Sequence, residues 1–523
     1  MKKILCTLVL IVSIVCVLAS CNSSDLPKET NTSTSEEAIV TTPEETNVTT
    51  PVATTPEVTT PEVTTPEATT PNEPILTTPG LAYEVNDDGK TCTITGIGTC
   101  TESDISIGNY IDGYEITAIG VWAFTSYSEL TSVTIGDSVT TIDGEAFAYC
   151  SNLASVTIGD SVTTIGDGAF FACTSLTSFL VDENNTAYQS INGDLYSKDG
   201  TVLLVYACGK IDESFVIPHS VTTVGLVAFS GCTNLTSVTI GDSVTTIGDG
   251  AFYNCTNLAS FVVNENNNAY QSINGNLYSK DGTVLLAYAC GKIDESFVIP
   301  DSVITIGWVA FAGCTNLTSV TIGDFVTTIG YGAFHNCDNL TNVKIGESVT
   351  TIGENAFGEC KSLVNVTIPN SVTTIGGNAF YGCSNLTTVT IPDFVITIGI
   401  QAFCECYNLT SVIIGDSVIS IDRYAFYKCF DLTSVIIGNS VLTIGYGAFG
   451  DCNLTSVTIP NSVTTIGDYA FSASYYLTSI TFEGTVAQWN AISKGNSWDL
   501  STGEYTIYCT DGTIAKDGTV TLN

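Results

Sequence analysis

Residues 130–152 read LTSVTIGDSVTTIDGEAFAYCSN, and residues 153–175 read LASVTIGDSVTTIGDGAFFACTS, one 23-residue pattern laid end to end. Outward from this stretch, the Ala-Phe pair recurs with Phe at 124, 147, 170, 229, 252, 311, 334, 357, 380, 403, 426, 449 and 471. The steps are 23 residues, except for two of 59 and a final one of 22. About thirteen repeats therefore fill residues 114–477. A unit this short cannot bury its own apolar face, so its copies must stack.

Each column has a physical role. Leu130, Val133 and Ile135 have the spacing of a short strand with its apolar side inward, leaving Ser132 and Thr134 outward. Gly136-Asp137, or Pro369-Asn370 in another copy, supplies a tight turn. Val139 and Ile142 bring a second extended segment back to the core. Ala146, Phe147 and Cys150 then share one face of what the spacing predicts to be a short helical turn. Burying a large side chain contributes about 1.5–3 kcal/mol. Ordering costs about 1–2 kcal/mol per residue, so one unit falls short and neighbours must make up the difference.

The two 59-residue steps each hold an extra 36 residues. Residues 179–218 repeat as 261–300 with five differences in forty. Asn-Gly at 192–193 and 274–275 is a hairpin signal, so the inserts near 179–214 and 261–296 read as β-hairpin islands. Leu180 and Val262, apolar where most repeats carry an outward Thr, are expected to lie beneath those hairpins. The atypical segments 80–113 and 478–523 are the expected N-terminal β cap and C-terminal cap.

The N-terminus is an address. Lys2 and Lys3 precede sixteen mostly apolar residues ending in Leu18-Ala19-Ser20-Cys21, which looks like a bacterial lipobox. Residues 1–20 are then a lipoprotein signal peptide, with lipid attachment at Cys21. A diacylglyceryl group supplies the two chains that stable anchoring takes. Residues 21–79 are rich in Thr, Pro and Glu and read as a disordered stalk.

The repeat pattern resembles the BspA-like subfamily of bacterial leucine-rich repeat surface proteins. The tail motifs Phe482-Glu483-Gly484-Thr485 and Gln488-Trp489-Asn490 are similar to that subfamily too. The resemblance implies an α/β leucine-rich repeat solenoid, right-handed and β-rich, exposed at the cell surface and in several relatives adhesive. It does not imply catalysis, and no cofactor is expected.

Composition agrees. Acidic residues number 53 against 14 Lys plus Arg, a net charge of −39, which excludes a nucleic-acid binder. Eleven of the 20 cysteines occupy one column, from Cys150 to Cys452, and read as a buried ladder of free thiols. Cys92 and Cys100 bracket an expected hairpin and form the candidate disulfide. The acidic turn column (Asp137, Asp160, Asp242, Asp301, Asp324, Glu347, Asp393, Asp416) reads as turn formation ahead of calcium binding, so no metal site is assigned. Polar groups recur by repeat instead of converging once, and neither His219 nor His335 has a nucleophile partner, so no catalytic residue is assigned.

Departures from the Ser/Thr surface mark where a partner binds. Lys344 adds a lone positive charge, Ile413 and Ile436 replace Thr in adjacent repeats, and Phe394 replaces Ser nearby. Those four residues are the candidate protein-binding set. Ile396, Ile419 and Leu442 extend the apolar character. The reading is a lipid-anchored surface adhesin or protein-interaction module whose partner is an extracellular or cell-surface protein, of a host matrix or another bacterium. The alternative is a glycan-binding or structural envelope protein. Against it, Trp489 and Trp498 fall in the C-terminal cap and offer no exposed Trp platform.

Overall fold

Alternation of Val and Ile with Ser and Thr makes each Leu-x-x-Val-x-Ile segment a strand, as at Ser132–Ile135, with Val133 and Ile135 buried. It pairs in parallel with the like strand of the next turn, Ser132 opposite Ser155 and Val133 opposite Val156. Past the Gly-Asp corner, Thr141–Ile142 pairs likewise with Thr164–Ile165. The computed structural model describes residues 75–523. There the chain is a leucine-rich repeat solenoid, β-rich with almost no helix, of about 18 turns of about 23 residues. A step of 23 places each side chain over its own column. The Phe column is accordingly a stack, unbroken from Phe311 to Phe471, with Phe334 and Phe357 centred 5.1 Å apart and 1° from parallel.

The expected helical turns do not form. Glu145 and Tyr149 flank Phe147 at φ of 54° and 59°, left-handed values that break a helix. Their effect is to aim alternate N–H groups along the solenoid. Phe147 N–H donates to Ala169 O at 2.8 Å and Tyr149 N–H to Phe171 O at 2.8 Å, a third inter-turn ladder. The only α-helix among the described residues is Val486–Ala491, opened by a capping box between Thr485 and Gln488.

The turn count exceeds thirteen because inserts and caps add turns that lack Ala-Phe. Each insert is a hairpin followed by a further turn of solenoid, not an island. Tyr188–Ile191 and Asp194–Ser197 pair antiparallel, and Val202–Val205 then rejoins the second sheet beside Thr223–Val224. Tyr206 takes the Phe position, its ring 5.2 Å from Phe229, and Ser214–Val216 rejoins the first sheet. The second copy repeats this with Tyr270–Ile273, Asn276–Ser279 and Tyr288. Buried Asn185 anchors the first hairpin, donating to Gly159 O and Val162 O and accepting from the N–H groups of Ala187 and Tyr188.

Because the hairpins extend the second sheet, they wedge between turns instead of lying over the first sheet. Leu180 and Val262 are therefore not covered; they stand 59% and 51% exposed. The wedges also interrupt the first sheet after Ser178–Val181 and after Ser260–Val263.

The ends differ from expectation in extent. The signal peptide, Cys21 and the stalk through residue 74 lie outside the described residues. Residues 75–79 run along Asp104–Ile107, with Thr78 N–H donating to Ser106 O at 2.8 Å. That strand is already solenoid, paired in parallel with Ser132–Ile135, so the N-terminal cap is chiefly the hairpin Ala82–Val85 and Thr91–Gly96. Parallel pairing also continues past residue 478 to Thr506–Cys509. Two antiparallel strands, Gly512–Ala515 and Val520–Leu522, then close the sheet.

Cys92 and Cys100 are free and buried, which corrects the expected disulfide. The hairpin sets Cys92 opposite Val85, while Cys100 lies beyond the end of its second strand. The disulfides are Cys208–Cys232 and Cys290–Cys314 instead. In each insert turn the cysteine follows the core tyrosine by two residues instead of three, which brings its Cα within 4.5 Å of the next turn's ladder cysteine. Two ladder members are thus bonded, and the other nine are free.

Candidate interaction surface

The free ladder thiols are structural donors. Cys150 S–H donates to Phe124 O at 3.1 Å, and Cys337 S–H to Phe311 O at 3.1 Å, in each case the carbonyl of the preceding turn's Phe. Burial pushes the Cys150 and Cys255 thiols up to about 12, leaving them protonated and poorly nucleophilic. The acidic turn column also has a backbone role. Asp324 Oδ1 accepts from Glu347 N–H at 3.0 Å and Asp393 Oδ1 from Asp416 N–H at 3.1 Å, linking successive turns. His335 is buried with Nδ1 unpartnered, whereas His219 is exposed, 3.8 Å from Asp242 Oδ1.

The apolar departures are real surface features. Ile413 and Ile436 are 48% and 55% exposed and directly opposite one another on neighbouring strands. Parallel strands lie about 4.7–4.9 Å apart, so the two side chains form one apolar patch. A second row runs beyond the corner, with Ile419 N–H donating to Ile396 O and Leu442 N–H to Ile419 O. All three of its side chains are exposed. Phe394, 62% exposed, sits on the corner between the rows. Lys344 lies in the same surface row as Ile413 but three turns away, with Thr367 and Thr390 between, so the structure does not bring it into the patch.

The sequence reading missed an aromatic row. In the column after the ladder cysteine, Tyr407 and Phe430 are exposed and stack at 5.3 Å, 10° from parallel. Tyr475 and Tyr476, exposed by 64% and 63%, follow two turns on. Glu405 ties this edge together: it accepts from the hydroxyls of Tyr381 and Tyr407 and pairs with Lys428 at 3.0 Å. Its signal was the 22-residue step, whose missing residue falls in this column.

Comparison with known proteins places the architecture. The BspA type leucine rich repeat region, in six copies, matches residues 99–197, 205–281, 287–410 and 396–506. No curated protein sequence matches the chain. A leucine-rich repeat protein of Bacteroides ovatus is 24% identical, over 82% of this chain and 98% of that one, with a TM-score of 0.39. One from Eubacterium ventriosum is 23% identical, over 82% and 94%, also at 0.39. The pneumococcal vaccine antigen PcpA is 17% identical over 82% and 98%, at 0.33. With that repeat profile matching most of its length, this chain belongs to the BspA-type leucine-rich repeat family.

Proposed function

We propose that the protein is a lipid-anchored surface adhesin that binds an extracellular or cell-surface protein through the apolar patch around Ile413 and Ile436. The supporting observation is the exposure of these two side chains, paired across adjacent strands where neighbouring turns present Thr. Contiguous exposed apolar surface on a protein this acidic favours an interface over free solvent. Two disulfides fit an oxidising compartment outside the cytoplasm. The regular columns repeat like groups in parallel, which suits a binding scaffold better than catalysis.

The test is binding of the purified chain to a panel of matrix proteins and mucins by surface plasmon resonance. Ile413→Asp with Ile436→Asp should remove saturable binding without changing the far-UV circular dichroism spectrum. Undiminished binding by that variant would refute the patch. Anchoring is tested separately: wild type should partition with membranes and Cys21→Ala should not.

A further inference from the structure

We infer that the aromatic edge around Phe430 and Tyr475 is a binding site for an uncharged glycan, independent of the apolar patch. The geometry comes from one missing residue. Turns before and after place two residues between the ladder position and the next core Leu, Phe430-Asp431 and Tyr475-Tyr476. The turn between them has only Asn453, between Cys452 and Leu454. The aromatic column therefore has a vacant position between Phe430 and Tyr475.

The slot has a definable width. The Phe stack beneath it advances 5.3 Å from Phe426 to Phe449 and 5.5 Å from Phe449 to Phe471. Phe430 and Tyr475 are thus set off by two such spacings. Tyr407 covers one face of Phe430, and among the described residues no ring packs on the other. Carbon atoms in van der Waals contact sit about 3.5–4.0 Å apart. A pyranose stacks its C–H groups on an aromatic face, and the face of Phe430 turned away from Tyr407 carries no other ring among the described residues.

The polar rim selects the class of ligand. Asp431 is exposed and Asn453 half-buried, offering acceptors and an amide to sugar hydroxyls, while Asp451 is engaged by Tyr427. The nearby cation, Lys428, is engaged by Glu405 and lies over the Tyr427 ring. Carboxylates at the rim and a chain charge of −39 disfavour sulfated or sialylated sugars.

The test is isothermal titration calorimetry of the full chain with cello-, laminari-, malto- and mannohexaose and with hexa-N-acetylchitohexaose, heparin hexasaccharide being the anionic control. Saturable binding of at least one neutral probe is expected, weakened tenfold or more by Phe430→Ala and by Tyr475→Ala. Inserting a threonine between Cys452 and Asn453 restores the 23-residue step and should abolish binding. Phe430 is exposed, so its truncation should leave the fold intact if the insertion does not. Ile413→Asp with Ile436→Asp should keep glycan binding, which separates the two sites. Silence across the neutral probes, preference for heparin, or unchanged affinity in Phe430→Ala would each overturn the proposal.

Discussion

Replacing His335 by alanine, the residue at the same place in two other turns (Ala148 and Ala312), should flatten the acid sensitivity of the central solenoid. His335 follows the core residue Phe334 and is 7% exposed, with Nδ1 buried and unpartnered. Burial lowers its pKa to about 4, opposed in part by the nearby Gly358 backbone. A free histidine titrates near 6.5. Between these values the unfolded chain binds a proton that the folded chain refuses, so stability falls as pH drops from about 6.5 toward 4. At about 1.36 kcal/mol per unit, the full window is worth about 3 kcal/mol, of which about 2 kcal/mol is lost by pH 5. The chain has only two histidines, so the imidazole resonance absent from His335→Ala identifies itself. That resonance should titrate near pH 4. Hydrogen exchange around Phe334 and Phe357 should lose about 30-fold more protection in wild type than in the variant between pH 7.5 and 5. A midpoint at 6 or above, or equal pH dependence in the two proteins, would refute the reasoning.

Phe357→Ala opens a hole between Phe334 and Phe380 and should cost about 3–5 kcal/mol, read as lost exchange protection in the adjoining turns. Asn185→Ala removes four hydrogen bonds and should destabilise the first hairpin by about 1–3 kcal/mol, with the second hairpin, anchored by Asn267, as the internal control. Cys208→Ser with Cys232→Ser opens a 24-residue loop and should cost about 3 kcal/mol locally, measured by limited proteolysis across residues 206–232. After mild reduction, Cys208 and Cys290, which keep a little exposure, should alkylate before Cys232, Cys314, Cys337 and Cys360, all fully buried in the ladder.

The candidate surface was partly legible for a local reason. Outward strand positions alternate with core positions, so Ile413 and Ile436 declared themselves as misplaced apolar residues, and the parallel register sets them side by side. Lys344 stands in the same row, but strand spacing keeps it three turns away. The aromatic edge was harder to read, because Tyr407, Phe430 and Tyr475 occupy a corner column that carries Thr, Ser, Asp or Lys in other turns. Its significance rests on a deletion, which matters only once turns are stacked.

A 23-residue period with fixed apolar columns was by itself enough to determine stacking, strand positions and the Phe and Cys ladders, since no single unit can bury its own core. Tertiary structure decided what depends on neighbours. Left-handed residues beside each Phe send N–H groups to the adjacent turn, so a predicted helical turn became a third ladder. The inserts became a wedge plus a turn because their second half repeats the strand spacing without the Ala-Phe marker. Disulfide partners were settled by which thiols meet across turns: Cys92 and Cys100 are close in sequence, but a strand carries them apart, while Cys208 and Cys232 are 24 residues apart and adjacent in the stack.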